Sequence, residues 1–326
     1  MIVGDDDDVG QRADVVLGRR VPGLSRRAAR ALGLRGVLRC NGKRVPPSHR
    51  VAKGDRLELE LEPTPAIDPP RVLACTDAFV YVDKPADLHT HRLRPSDPPA
   101  LADAVARVHP ECAASSDDPR EGGALHRLDR ETTGVVAFAR TPAAWRAGRA
   151  AIVQPTTLKL YVALCETPRA PTWPPRTTPA LVEVHGDDRL LPHDLPRPRA
   201  VSPLALTLSL GRGATKELVA VREDGRPTTS ILVPLAAAAA QDDGNARLLV
   251  ALQLHGGHRH QARVHLAWLG VPIEGDARYG HGRGALALHC SALDLSASCP
   301  GEQRVDAPLP AALAERLAAL PLRPWA

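Results

Sequence analysis

Four prolines in eight residues, at positions 63, 65, 69 and 70, divide this chain. Proline fixes φ and carries no amide hydrogen, so Pro63-Thr64-Pro65-Ala66-Ile67-Asp68-Pro69-Pro70 can continue neither a helix nor a sheet ladder. The fold must therefore comprise a short part before the break and a long part after it. We read residues 1–10 as an acidic N-terminal tail, 11–62 as a small α+β unit, 63–71 as a stiff linker and 72–326 as the larger domain. A length of 326 residues is enough for two domains, each with its own core. No stretch of about 20 residues is free of charge, which argues against a helical membrane span. Asp5 to Asp8 stand where a leader would be basic, and the six cysteines are widely spaced without a C-x-x-C. Both features predict a cytoplasmic protein with reduced thiols.

Charge is distributed unevenly across the break. Lysine occurs only at positions 43, 53, 84, 159 and 216, so nearly all of the 42 basic residues are arginine, a compositional bias that weakens any single arginine as a signal. From Arg12 to Arg56, however, thirteen Arg or Lys stand against Asp14 and Asp55 alone, in a chain whose net charge is +5. The remainder is thus net acidic, and the small unit is a basic module suited to a polyanion. Aromatic residues make up 3% of the chain, too few for a protein that stacks many bases along a strand.

Local patterns place the elements. A short helix begins at Asp14 and stops near Pro22-Gly23; Ser25 is a suitable N-cap for a second helix from Arg26 to Leu34. Asn41-Gly42 between Val37–Cys40 and Lys43–Val45 signals a two-residue hairpin. Leu57, Leu59 and Leu61 alternate with glutamates, the period of a half-buried strand. Beyond the linker, Phe79–Val82, Gly134–Ala139, Leu158–Leu164 and Leu248–Leu254 read as strands, while Ala100–Val108, Ala143–Ile152, His260–Leu269 and Pro310–Leu320 read as helices. Their irregular spacing predicts an α+β fold with a mixed, mainly antiparallel sheet flanked by helices. Residues 166–200 are proline-rich and read as an extended surface excursion, Ala236 to Ala240 are uninformative, and no internal repeat is visible.

The residues with chemical potential form a few strings. In Gly122-Gly123-Ala124-Leu125-His126-Arg127-Leu128-Asp129-Arg130-Glu131-Thr132-Thr133-Gly134, a carboxylate lies between arginines on a glycine-flanked loop. Neighbouring positive charge would hold it ionised and able to act as a nucleophile or base; alone, such an aspartate would more often cap a loop. His255, His258, His260 and His265 are close in sequence, yet no carboxylate or cysteine completes a metal site with them, so hydrogen-bonding roles fit better. Neither a G-x-G-x-x-G following a strand nor a phosphate-binding P-loop is present.

Two resemblances organise these strings. The order helix, Leu24-Ser25-Arg26, helix, Val37, Asn41-Gly42-Lys43, Val51, Lys53-Gly54-Asp55 resembles an S4 domain, a small RNA-binding module. The Asp129 string resembles the His-Arg-Leu-Asp-x-x-Thr-Ser-Gly motif of the RluA family of pseudouridine synthases. Further matches follow in that family's order: Asp77 to Pro85 with Lys84-Pro85 and then His91; Lys159-Leu160-Tyr161-Val162-Ala163; Gly225-Arg226-Pro227-Thr228; His260-Gln261-Ala262-Arg263-Val264-His265-Leu266; Gly275-Asp276 with Tyr279-Gly280; and Ala307 to Pro310.

The resemblance implies a cofactor-independent, metal-free enzyme that isomerises uridine in structured RNA, with ribosomal RNA of the large subunit favoured over transfer RNA; no DNA or membrane partner is expected, and a monomer is the default state. It implies Asp129 as the catalytic aspartate, Arg263 as its ion-pair partner and Tyr161 as the residue stacking on the flipped base. Arg127 would fill the vacated stack. His126, Arg130, His260 and Gln261 would face RNA at the site, and Arg26, Arg27, Arg30 and Lys43 would do so in the small module. Lys84 would serve to fix a turn. The chain departs from the family at Gly256-Gly257-His258-Arg259, where a basic residue has moved one place, at Ala262, and at Thr133. The alternatives are an RNA-binding or ribosome-assembly protein without turnover, and a metal hydrolase built on the histidines.

Overall fold

Separate β-sheets lie on either side of the proline-rich break. The computed structural model describes the chain apart from residues 1, 22, 23, 25, 27, 28, 31, 32, 34–37, 60–66, 95, 96, 168–170, 200, 241–243, 283 and 326. Before the break, β1 (Ile2–Val3), β2 (Leu38–Cys40), β3 (Lys43–Arg44) and β4 (Arg56–Leu59) form a sheet of order β1-β4-β2-β3. The hairpin turns on Asn41 and Gly42, whose φ of 50° and 76° are the left-handed pair this tight turn demands. The helix Ala13–Arg20 packs Val16 and Leu17 against Leu38, Val51 and Leu57, and Ala29, in a helical conformation, completes that core. The expected N-cap Ser25, the helix end at Leu34, the hairpin start at Val37 and the strand end at Leu61 lie outside the described residues.

The acidic segment is not a free tail. Ile2–Val3 pairs antiparallel with β4, and Asp5 caps the turn Asp6–Asp8 by accepting a bond from the Asp7 amide. Asp8 is fully buried and accepts hydrogen bonds from Arg19 and, at 2.7 Å, from Arg20. Opposite charge between the segment and the end of the first helix gives the reason for its docking, since a buried carboxylate needs such partners.

After the break come β5 (Arg71–Cys75), β6 (Phe79–Lys84), β7 (Thr133–Ala139), β8 (Leu158–Thr167), β9 (Leu181–Glu183), β10 (Leu204–Arg212), β11 (Val219–Val221), β12 (Arg226–Ala238), β13 (Ala246–His255), β14 (Leu288–Asp294), β15 (Val305–Asp306) and β16 (Arg323–Pro324). They form one sheet ordered β11-β10-β12-β13-β8-β14-β7-β6-β5, with β9, β15 and β16 pairing onto β10, β14 and β12. β14 and β7 are parallel and the other pairs antiparallel, in agreement with the mixed, mainly antiparallel expectation. The expected helices appear as Leu101–Val108, Pro142–Ala151, Gln261–Trp268 and Ala311–Ala319. Thr141 starts the second of these by accepting from the Ala144 amide at 3.1 Å, with Pro142 in the first turn.

β8 shows how the sheet supports a site. Leu158, Leu160 and Val162 enter the core on one face, with Leu190, Leu235 and Leu249. Tyr161, Ala163 and Cys165 enter the larger core on the other face, where Leu101, Val105, Ile152 and Leu266 also pack. Residues 166–200 are less detached than expected: Glu166 and Thr167 end β8, β9 pairs with β10, and Leu190 is 3% exposed beneath the sheet. Ala236–Ala238, uninformative in sequence, close the long strand β12.

Candidate active site

Asp129 lies on the loop that leads into β7. Leu125 anchors the loop's start by donating its amide to Ala137 O at 2.9 Å. Further along, Thr90 Oγ1 accepts from the Leu128 amide at 3.1 Å and reaches Leu128 O at 3.3 Å. Lys84, fully buried, donates to Pro85 O at 2.8 Å, Leu88 O at 2.7 Å and Arg130 O at 3.0 Å. It thus fixes the Lys-Pro turn, as expected, and ties that turn to the residue after Asp129. The loop ends at Gly134, where φ is +115° and a Cβ would lie 2.1 Å from Cys290 O. Only glycine permits β7 and β14 to run side by side there.

Arg263 faces this loop from the helix Gln261–Trp268 and is 2% exposed. Its Nε and Nη2 donate to Asp276 at 2.8 and 2.7 Å, and its Nη1 lies 3.5 Å from Asp129 Oδ2 and 3.7 Å from Glu131 Oε2. Asp276 also accepts the amides of Arg278 and Tyr279. The expected Arg263–Asp129 pair is therefore present as a longer contact, and the closer partner is Asp276, which carried no role in the sequence reading. Burial pushes the Asp129 carboxyl above its ordinary value, Arg263 works against that rise and Glu131 adds to it. The arginines thus supply only part of the balance assigned to them from sequence.

His260 occupies a left-handed conformation at φ 57° just before this helix. Its Nδ1 lies 2.7 Å from Tyr279 Oη, which accepts the Val219 amide at 2.8 Å. The ring's other nitrogen, Nε2, lies 3.8 Å from Asp129 Oδ1. Burial, with Arg263, Arg259 and Arg278 nearby, lowers the His260 pKa to about 3.

Asp129, Arg263, Tyr161 and His260 line one cavity of about 310 Å³, with Arg127, Lys159 and Leu288 among its walls. Tyr161 comes from β8, opposite Cys290 of β14, and burial together with Cys290 raises its pKa well above the ordinary value. Of the expected RNA-facing residues, Arg127 is exposed at the cavity, and Arg130 is exposed with Nε donating to Asp87 O at 3.2 Å. His126 lines the cavity as a neutral ring, its pKa lowered to about 3 by burial, and its Nε2 lies 3.4 Å from the Ala137 amide. Gln261 lines the cavity too, but its amide is already bonded to Thr229 O, Ser230 Oγ and the His258 amide. It anchors the helix to β12. Arg26, Arg30 and Lys43 are exposed in the small unit, and Arg27 lies outside the described residues.

The histidines separate in space by function. His265 is fully buried on Thr228 at 2.9 Å, His260 holds Tyr279, and His258 sits partly buried at the cavity. Arg259, the displaced basic residue, donates to Lys216 O at 2.7 Å and Leu218 O at 3.1 Å and so pins a neighbouring loop. Asp276, Tyr279 and Glu131 are the site residues whose roles the sequence reading did not assign. The signal for the first two was the Gly275-Asp276 and Tyr279-Gly280 pair itself.

The family described as RNA pseudouridylate synthase matches residues 78–268. An uncharacterized RNA pseudouridine synthase of Mycobacterium bovis is 29% identical over 284 residues, covering 84% of this chain and 80% of that protein. The ribosomal large subunit pseudouridine synthase D of Xanthomonas campestris is 28% identical over 295 residues, covering 89% and 76% respectively. Among solved structures, human RNA pseudouridylate synthase domain containing 4 shares the fold with a TM-score of 0.52 at 20% identity, over 78% of this chain and 94% of that one.

Proposed function

Because the chain belongs to the RNA pseudouridylate synthase family, we propose that it isomerises specific uridines of large-subunit ribosomal RNA, with Asp129 as the catalytic carboxylate. The observation that carries this reading is the convergence of Asp129, Arg263 and Tyr161 on one cavity, with Arg127 at its exposed edge. The choice of ribosomal RNA is supported by relatives named ribosomal large subunit pseudouridine synthase D in Xanthomonas campestris and Vibrio parahaemolyticus. It is supported also by the basic N-terminal unit, which we read as an S4-like docking module presenting Arg26, Arg30 and Lys43.

The reaction breaks the C1′–N1 glycosidic bond, turns the uracil and forms a C1′–C5 bond, after which the hydrogen on C5 leaves as a proton and N1 takes one up. The base must first leave its stack, at a cost of a few kcal/mol. Arg127, long and exposed, is suited to occupy the space left behind. Asp129 then acts as a carboxylate, at the sugar carbon or on a sugar proton, and both routes start from the ionised form. Arg263 holds that carboxylate in place while Asp276 holds Arg263. Tyr161 is suited to stack on the flipped uracil, and burial with Cys290 beside it raises its pKa well above the ordinary value. No step calls for a metal or a redox cofactor, and the reading is of a monomer working in the cytoplasm.

Incubation with unmodified transcripts of large-subunit ribosomal RNA and transfer RNA tests the substrate. Pseudouridine should form in the ribosomal transcript; formation in transfer RNA alone would overturn the choice of RNA.

A further inference from the structure

Lys159 is the one lysine in the wall of the cavity, and the proposed mechanism does not use it. It sits two residues before Tyr161 on β8, so both side chains leave the same face about 7 Å apart along the strand. Lys159 is 3% exposed, yet its ammonium makes one hydrogen bond, to Ile152 O at 2.9 Å. An ammonium has three N–H donors, and burying it with two unfilled is costly unless a partner arrives.

Among the described residues, the protein provides no such partner. The titratable and charged groups facing Lys159 are His126 on the Asp129 loop, His255 on β13, His258 on the turn and Cys290 on β14. None is a carboxylate. Gly257, at φ +77°, approaches so closely that a Cβ there would lie 3.4 Å from Nζ. Lys159 lines the cavity beside the Gly256-Gly257 turn, where no side chain stands between it and the space. By contrast, Lys84, the other fully enclosed lysine, has all three donors filled by carbonyls.

We propose that Lys159, with His258 beside it, forms a phosphate subsite for the RNA backbone next to the flipped uridine. This rests on the functional reading above and names what that reading leaves open, namely how the backbone is held once the base has entered. A base stacked on Tyr161 leaves its sugar and phosphate a short step away along β8, where an unpaired buried cation is waiting. Burial lowers the Lys159 pKa to about 8, so the ammonium form prevails at neutral pH and is lost above it. A bound phosphate favours the charged form.

The competing role is purely structural, since the bond to Ile152 O caps the C-terminal end of the helix Pro142–Ala151. Three full-length proteins distinguish them: wild type, Lys159→Met and Lys159→Arg. The probes are a short single-stranded RNA containing one uridine, for equilibrium binding across salt and pH, and an unmodified large-subunit transcript for turnover. Loss of one phosphate contact should reduce the salt slope of binding by about 0.7 in Lys159→Met. The KM for RNA should rise roughly tenfold in that variant, with a smaller change in kcat. Wild-type affinity should fall above about pH 8, and Lys159→Arg should keep near-normal affinity without that fall. The proposal is overturned if Lys159→Met retains the wild-type salt slope, or if Lys159→Arg is as weak as Lys159→Met. If binding splits as expected while no variant, wild type included, isomerises either class of RNA, the subsite stands and the functional reading falls. Turnover with unaltered binding in Lys159→Met removes the subsite alone.

Discussion

Arg263 presents the two-pronged edge of its guanidinium to Asp276, at 2.8 and 2.7 Å, and meets Asp129 only through Nη1 at 3.5 Å. That Nη1 makes no hydrogen bond, although it is buried. Arg263 is thus held by one carboxylate while offering its remaining donor to another. Asp276 is a positioning residue for the cation that faces Asp129.

The Asp276→Asn variant tests this arrangement. Removing one member of a buried pair costs about 3–5 kcal/mol, so the unfolding midpoint should drop. A misplacement of Arg263 on the order of 1 Å should lower kcat by about 100-fold. RNA affinity should change much less. A folded Asp276→Asn protein with wild-type kcat would remove Asp276 from the account.

The pH profile follows from the sign of the Asp129 shift. Burial raises its pKa above 3.8, and the ionised form is the active one, so activity should fall as pH drops through that raised value. Glu131 contributes to the rise and Arg263 opposes it. Glu131→Gln should therefore move the acidic limb of kcat/KM to lower pH, and Arg263→Gln should move it to higher pH. Shifts in the same direction in both variants would contradict this electrostatic balance.

Arg127 is exposed at the cavity and is suited to fill the stack that the uridine leaves. Arg127→Ala should impair base extrusion chiefly. Turnover should recover in part on a substrate whose target uridine is already unpaired, because unstacking then costs less. Absence of any recovery would assign Arg127 to another step.

The N-terminal unit makes a separate prediction. Arg26, Arg30 and Lys43 are exposed, so changing each to Glu should leave the core of Val16, Leu17, Leu38 and Leu57 intact. If they meet phosphates, each loss should reduce the salt slope of binding to structured RNA by about 0.9. An unchanged slope in the triple variant would deny the unit a docking role.

Much of the fold was legible because its strands are runs of apolar and β-branched residues: β6, β7, β8 and β13 all emerged from local pattern. β12 did not, since Pro227, Pro234 and its terminal alanines resemble a loop. The register shift between Pro234 and Ala236 absorbs the missing amide, and pairing with β10 and β13 overrides the local signal. β14 was hidden because His289 and Ser291 are buried polar residues, satisfied by Thr133, Ala307 and Leu160 from distant segments. The site shows the same division. Asp129, Tyr161 and Arg263 could be picked out because each sits in a contiguous string. The Arg263–Asp276 pair spans thirteen residues and two elements, so its strength needed geometry. Gln261 looked like an RNA contact until its amide was seen to be engaged with β12 and the turn before the helix.

The central claim is that Asp129 of this chain turns uridine into pseudouridine in ribosomal RNA. The most direct measurement maps pseudouridines in ribosomal and transfer RNA from the source organism, with and without the gene, and after restoring wild type or Asp129→Asn. The account predicts that one or a few large-subunit sites disappear on deletion, return with wild type, and remain absent with Asp129→Asn although that protein still binds RNA. Full restoration by Asp129→Asn, or an unchanged map after deletion, would contradict it.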